Sequence, residues 1–301
     1  MAVPVAQLSP YTEQPRRRSL FQAAIRHILQ DRLTLVAIGV LVLLALLSYF
    51  APFISDVILN VDPNTTNAEF RFQPIGADGH LLGTDNLGRD HLARLLYAGR
   101  VSLTIGFASA LLSLIIGVSL GIITGFYGGL VDDLVNWIIT TLNAIPALVL
   151  LLIVSAMFSA GPVTLTLVLA FLTWTLTTRL VRGETLTIRE QDYILSARAL
   201  GTSNLRIMLV HVLPNVFSVT IVTLAINIGN VILIESALSF LGLGVQPPTA
   251  TWGNMLSNAQ TFFKNGPHLV VMPGLLIMIT VLCLYIIGDG LRDAFDPRTV
   301  K

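Results

Sequence analysis

Charge is what this sequence has least of. Only 12% of its 301 residues are Asp, Glu, Lys or Arg, about half the share of a typical soluble domain. With 54% hydrophobic residues and a mean hydropathy of +0.77, the deficit points to a polytopic membrane protein. A net charge of +1 offers nucleic acid no bulk attraction. A single cysteine, Cys283, excludes an internal disulfide. The five histidines (His27, His80, His91, His211 and His268) lie apart, without H-x-x-x-H or C-x-x-C spacing, so no metal site is expected. There is no G-x-x-x-x-G-K-[ST] to cradle nucleotide phosphates and no G-x-S-x-G nucleophile elbow. The apolar runs hold almost no ionisable groups of the kind an ion-coupled carrier needs. Asp132 and Asp133 fall at a helix end, and Glu235 falls near the outer end of a run. Any work done through this chain must be driven from outside it.

Apolar runs are what the sequence has in plenty. A transmembrane helix needs about 20 mostly apolar residues. Six stretches qualify or nearly so: 33–54, 101–126, 134–158, 162–178, 214–234 and 269–288. The fourth is short, and its "LTWTLTT" is polar enough to expect helices rather than lipid around it. The N-terminus does not read as a cleavable signal, because its apolar run begins only after Arg32. Residues 1–15 are expected to be disordered. The expected organisation is a cytoplasmic tail (1–32), a first span (33–54) and an outer loop with an interfacial helix (55–100). A five-helix core (101–288) follows, with a cytoplasmic segment at 179–213 and an outer loop at 235–268, then a second tail (289–301).

Orientation follows from Lys and Arg, which accumulate on the cytoplasmic side. With the N-terminus inside, Arg16, Arg17, Arg18, Arg26 and Arg32 precede the first span. Arg179, Arg182, Arg189, Arg198 and Arg206 lie between the fourth and fifth spans, and Arg292, Arg298 and Lys301 follow the sixth. Only Arg71, Arg89, Arg94, Arg100 and Lys264 remain outside. The bias predicts an all-α protein of six transmembrane helices with both termini in the cytoplasm.

Several features inside or beside the spans suggest close contact. Ser113, Gly117, Gly121 and Gly125 repeat every four residues, a small-residue ladder that lets another backbone approach. It serves either internal packing or the lining of a path or subunit contact. Asn143, Asn227 and Asn230 are amides within spans, suited to helix-to-helix hydrogen bonds or to a polar path. Pro146 and Pro273 each free a carbonyl inside a span. In "LGTDNLGRDHLARLLYAGRVSL" (82–103), Thr84 or Asp85 is expected to cap a short interfacial helix. Its Leu92, Leu95 and Leu96 share one face, with His91 and Arg94 off it.

The segment "QDYILSARALGTSNLRIMLVHVLPN" (191–215) interrupts the apolar pattern on the cytoplasmic side. Residues 191–200 read as a helix ended by Gly201, which tolerates positive φ. Thr202 or Ser203 then caps a second helix, in which Leu205, Met208, Leu209 and Val212 fall on one face. Pro214 is expected to open the fifth span, where a missing N–H costs nothing. Ser196, Ala197, Ala199 and Gly201 are small, so another protein's surface is able to come close.

"YILSARALG" followed by "HVLPN" resembles the coupling segment of the ABC-importer permeases, a pattern of Glu-Ala-Ala, three residues, Gly and a later Leu-Pro. Here Leu195, Ser196 and Ala197 take the Glu-Ala-Ala places, Gly201 is the glycine, and Leu213-Pro214 close the pattern. Leu195 stands where the family has glutamate, so a salt link through that position is not carried over. Together with residues 82–103, "ESALSFLGLGVQPPTATWGNML" (235–256) and "GDGLRDAFDPR" (288–298), the chain is similar to the second permease subunit of the dipeptide/oligopeptide/nickel branch.

The resemblance implies a type I ABC-importer permease fold in a bacterial inner membrane. It also implies a homologous sister permease, one or two ATPase subunits that bind ATP and Mg, and an extracytoplasmic binding protein. This chain would hold no cofactor or metal and do no catalysis. Leu195, Ser196, Ala197, Arg198, Ala199, Leu200, Gly201, Thr202 and Ser203 would form the ATPase contact, with Gln246 and Trp252 offered to the binding protein. Peptides are the implied cargo, with nickel chelates or glutathione as alternatives. Three rival classes remain: a secondary transporter, which needs intramembrane ion ligands; a membrane enzyme, which needs a nucleophile or metal set; and a scaffold.

Overall fold

The computed structural model describes residues 20–77, 79–157 and 161–295. The expected disorder of 1–15 and the tail after residue 295 lie outside these. Among the described residues the regular structure is helical, apart from one antiparallel bridge between Thr84 and Asp90.

Helix α1 (Leu20–Gln30) turns at Asp31 into α2 (Arg32–Tyr49). Asp31 caps α2 by accepting from the Leu33 N–H at 3.0 Å and from the Thr34 hydroxyl, and so satisfies donors that a helix start leaves open. The loop that follows leads to α3 (His91–Tyr127), a single helix of 37 residues. The expected interfacial helix is therefore not separate but the first turns of α3. Its cap is Asp90, not Thr84 or Asp85: the Asp90 carboxylate accepts from the Ala93 N–H at 2.7 Å. Its buried face also differs from the expected one. His91, Arg94 and Leu95 are buried, whereas Leu92 and Leu96 are half-buried.

The third expected span is two helices, α4 (Gly129–Ala144) and α5 (Ala147–Met157). The break is local chemistry: Pro146 forces the preceding Ile145 out of the helical region, to φ −93° and ψ 128°. Helix α6 (Pro162–Arg189) starts on its proline and runs 28 residues, well beyond the expected 162–178. Then come α7 (Asp192–Ala199) and α8 (Asn204–Phe240), which absorbs both the expected second loop helix and the fifth span. The continuity through Pro214 rests on a π-helical turn over Met208–Val212, where the Leu213 N–H reaches back five residues to the Met208 carbonyl. Such a turn is one way a helix accommodates a residue that breaks the regular ladder. Short helices α9 (Trp252–Met255) and α10 (Ala259–Asn265) lead to α11 (His268–Phe295), which keeps Pro273 inside it. Among the described residues, five helices are long and apolar enough to cross a membrane: α2, α3, α6, α8 and α11.

Helix α3 is the centre of the packing. It lies along α6 in the most extensive helix pair and also contacts α8, α2 and α4. The small-residue ladder makes that closeness possible. A Cβ on Gly117 would stand 2.6 Å from Thr177 Cβ, one on Gly121 2.7 Å from Val181 Cβ, and one on Gly125 2.6 Å from Thr185 Cβ. Since lipid tails are as apolar as leucine, such steric fit rather than water exclusion holds spans together. One apolar cluster joins α3, α8, α9 and α11 around Trp252 and Ile232. Another gathers the C-terminal halves of α3 and α6 with Ile194, Ile207, Met208 and Val212. That second cluster seats the 191–212 segment on the helices.

Candidate functional site

The turn at Gly201 is built by backbone hydrogen bonds. Gly201 takes φ 78°, and its N–H donates to the Arg198 carbonyl at 2.9 Å. The Thr202 N–H donates to the Ala197 carbonyl at 3.1 Å. This pair of bonds closes α7 in a Schellman motif, which a left-handed glycine permits. Ser203 precedes α8 in an extended conformation, but its side chain makes no capping bond.

The segment has an inner and an outer face. Inside, Ile194 and Ile207 are fully buried, Met208 and Val212 are buried, and Ala197 is half-buried against the same cluster. Outside, Tyr193, Leu195, Leu200 and Leu205 are exposed, Leu200 at 86%. Ser196, Arg198, Ala199 and Ser203 are exposed as well, and Thr202 is half-buried. The expected single face of Leu205, Met208, Leu209 and Val212 is not formed. Leu205 and Leu209 are exposed, and the buried face runs instead through Ile207, Met208 and Val212.

The segment joins the bundle through two arginines at the last turn of α3. The Arg198 guanidinium lies over the Phe126 ring, 4.8 Å from its centroid. Arg189 donates from a guanidinium nitrogen to the Gly125 carbonyl at 3.0 Å. Nearby, Arg182 and Asp132 form a two-pronged ion pair, Nε–Oδ1 at 2.5 Å and the second arm at 2.6 Å. The Arg182 hydrogen bond holds the Asp132 carboxyl below its usual range. Sequence reading missed these three contacts, since each joins residues at least 50 positions apart.

The residues expected to line a path or pack each contact a neighbouring helix, with Asn143 exposed. Gly117, Gly121 and Gly125 are filled against α6, so no opening runs between those helices. Asn227 donates to Ser113 Oγ at 3.2 Å, Asn230 accepts from the Tyr285 hydroxyl at 2.7 Å, and Asn143 accepts from Thr175 Oγ1 at 3.4 Å. All three amides bond helix to helix.

Comparison with known proteins supplies the class. A family profile described as "binding-protein-dependent transport system inner membrane component" matches residues 117–301, and one described as "N-terminal TM domain of oligopeptide transport permease C" matches 19–74. The chain belongs to the binding-protein-dependent inner-membrane permeases. Among its relatives, a dipeptide transport system permease protein of Alkalihalophilus pseudofirmus is 34% identical over 99% of this chain and 96% of the relative. An oligopeptide transport system permease protein of Bacillus subtilis is 35% identical over 94% and 91%. A glutathione transport system permease protein of Pectobacterium atrosepticum is 39% identical over 74% of each. The chain is thus a multi-pass transport component of a bacterial inner membrane.

In this permease the loop opposite the 191–212 segment is anchored from within. Trp252, expected to face a docking partner, is 1% exposed. Its Nε1 donates to the Leu95 carbonyl at 3.1 Å, and its backbone N–H donates to Ser102 Oγ at 3.1 Å. Ser102 in turn donates to Glu235, which is fully buried and also accepts from Ser239 Oγ at 2.7 Å. Aromatic residues in Gly/Pro-rich loops look alike in sequence whether they face in or out; Trp252 faces in. Gln246 is exposed, its amide donating to the Gly242 and Gly244 carbonyls. His91 and His268, read as scattered, meet edge to face with centroids 5.7 Å apart. Among the described residues no group of three or more His, Cys, Asp or Glu is placed to hold a metal ion.

Proposed function

We propose that this permease pairs with a homologous permease to form the path of an ATP-driven importer for di- and oligopeptides. The names of the full-length dipeptide and oligopeptide relatives support that cargo. ATP and Mg are bound by one or two partner ATPases, an extracytoplasmic binding protein delivers cargo, and this chain does no hydrolysis. Both termini and residues 191–212 face the cytoplasm, following the Lys and Arg bias. The observation that carries the reading is the apolar outer face around Gly201. Tyr193, Leu195 and Leu200 stand exposed on a compact turn between the candidate spans, and Leu205 is exposed in the first turn of α8. Clustered exposed apolar side chains of this kind mark a protein contact. With Leu195 in the place of the family's glutamate, that contact rests on packing.

ATP-driven closure of the ATPases then displaces the segment, and the paired permeases rock between outward-open and inward-open arrangements. The free energy comes from the difference in ATP affinity between the two states. The test is reconstitution of the complex with Gly201→Trp or Ala197→Glu. A Cβ on Gly201 meets nothing within 4 Å, but at φ 78° any side chain strains the turn, so import is compared only on complex whose melting temperature shows it folded. Import should fall by about tenfold or more, the loss of one good contact, while ATP hydrolysis no longer responds to the loaded binding protein. Normal import by either variant overturns the assignment. The glutathione-permease relative makes glutathione the second cargo reading. Mass spectrometry of the ligand held by the cognate binding protein decides between the two.

A further inference from the structure

Helix α7 has few attachments to the rest of the molecule. Of its side chains only Ile194 is fully buried, with Ala197 half-buried beside it. Arg198 is exposed, yet it makes no ion pair among the described residues. Its guanidinium instead covers the Phe126 ring at 4.8 Å. Phe126 is a fixed target: it is 5% exposed, belongs to the apolar cluster under the segment and meets Tyr127 edge to face at 5.6 Å. One residue earlier, the Gly125 carbonyl receives Arg189 at 3.0 Å. Two cations therefore close on the C-terminal turn of α3, where unpaired carbonyls leave partial negative charge.

What lies at the other end of that helix gives the grip its meaning. Helix α3 is continuous for 37 residues and contains no proline, about 55 Å at 1.5 Å per residue. Its first turn is capped by Asp90, and Leu95 and Ser102 hold Trp252 of the opposite loop. Along its length, Gly117, Gly121 and Gly125 bring it into direct contact with α6.

We propose that Arg198 is a positioning residue that, through its contact with Phe126 and beside the Arg189–Gly125 bond, fastens residues 192–203 to α3, so that displacement of the segment moves α3 and α6 as a rod carrying the motion to the Trp252 loop. This rests on the reading of the segment as the ATPase contact. An exposed cation–π contact has modest strength, and its loss corresponds to about a two- to fivefold change in an equilibrium. The coupled step should respond on that scale.

The test uses the complete complex in liposomes, with its binding protein and alanyl-alanine as cargo probe. Arg198→Met and Phe126→Leu are each expected to raise the ATP hydrolysed per dipeptide imported by about two- to fivefold. The double variant should go no further, and Arg198→Lys should restore most of the loss. The melting temperature of the Arg198→Met complex should hardly move, which separates this role from a structural one. A second readout does not depend on cargo: the distance between spin labels at Asp192 and Ile115, both exposed, with and without Mg-ATP. It should stay fixed in the parent and change or broaden with Mg-ATP in Arg198→Met. An unchanged ATP-to-dipeptide ratio in Arg198→Met, or an Arg198→Met label distance as fixed as the parent's, overturns the proposal. If Gly201→Trp uncouples import while Arg198→Met does not, only this inference fails. If Gly201→Trp imports normally, the underlying reading fails as well.

Discussion

Gly121 of α3 faces Val181 of α6 so closely that a Cβ on the glycine would stand 2.7 Å from the valine Cβ and 2.9 Å from the Thr178 carbonyl oxygen. The backbone oxygen has no freedom to withdraw. Gly121→Leu is therefore expected to separate the two helices and destabilise the protein by about 3 kcal/mol, the upper range of overpacking. Gly39→Leu is the matched control, since a Cβ there meets nothing within 4 Å. Thermal unfolding in detergent should show a large loss for the first and almost none for the second.

Trp252 is a structural anchor. Trp252→Ala removes a buried indole and its hydrogen bond to Leu95, which should cost about 3–5 kcal/mol. The melting temperature should fall steeply, and binding-protein affinity should fail only as folded protein is lost. A variant with normal stability and weakened binding-protein affinity would restore the docking role first expected from the sequence.

Leu200 and Ile194 test the two faces of the same turn. Leu200→Asp, at a position 86% exposed, should change stability by less than about 0.5 kcal/mol while reducing import. Ile194→Ala, at a position 0% exposed, should lower stability by about 2–4 kcal/mol. Melting curves and import assays on the two variants should therefore split in opposite directions.

The Asp132–Arg182 pair gives a pH dependence of definite sign. Arg182 lowers the Asp132 carboxyl in the folded protein. Its contribution is then fully present above the unfolded carboxylate value of about 4 and disappears as pH falls through the lower folded value. The pair is partly solvent-exposed, so the contribution is about 1 kcal/mol or less. The stability difference between the parent and Asp132→Asn should be constant near neutral pH and shrink below about pH 4. A difference that grew on acidification would contradict the pairing.

Local chemistry was readable where one residue's own constraints decide the backbone. Gly201 ends a helix because left-handed φ is open to it. Pro146 was readable only as a freed carbonyl inside one span; that it divides the span at Ile145 is a finding of the structure. Side chains that act across the bundle were not readable. Nothing near Arg189 indicates Gly125, and nothing near Trp252 indicates Leu95. The extent of α3 and α8 was also hidden, since Arg100 and Pro214 look like boundaries until the Asp90 cap and the π turn show each helix running through.

By itself the sequence determined a helical membrane protein, the course of its apolar runs and the Gly201 turn. These follow from hydropathy over span length and from lone glycines and prolines, all local properties of the chain. The tertiary structure alone decided which face of each span is inside. Lipid and a neighbouring helix are both apolar, so hydrophobicity does not distinguish them. The distinction lies in shape, in Gly117, Gly121 and Gly125 against Thr177, Val181 and Thr185. Shape complementarity exists only once the two helices stand side by side.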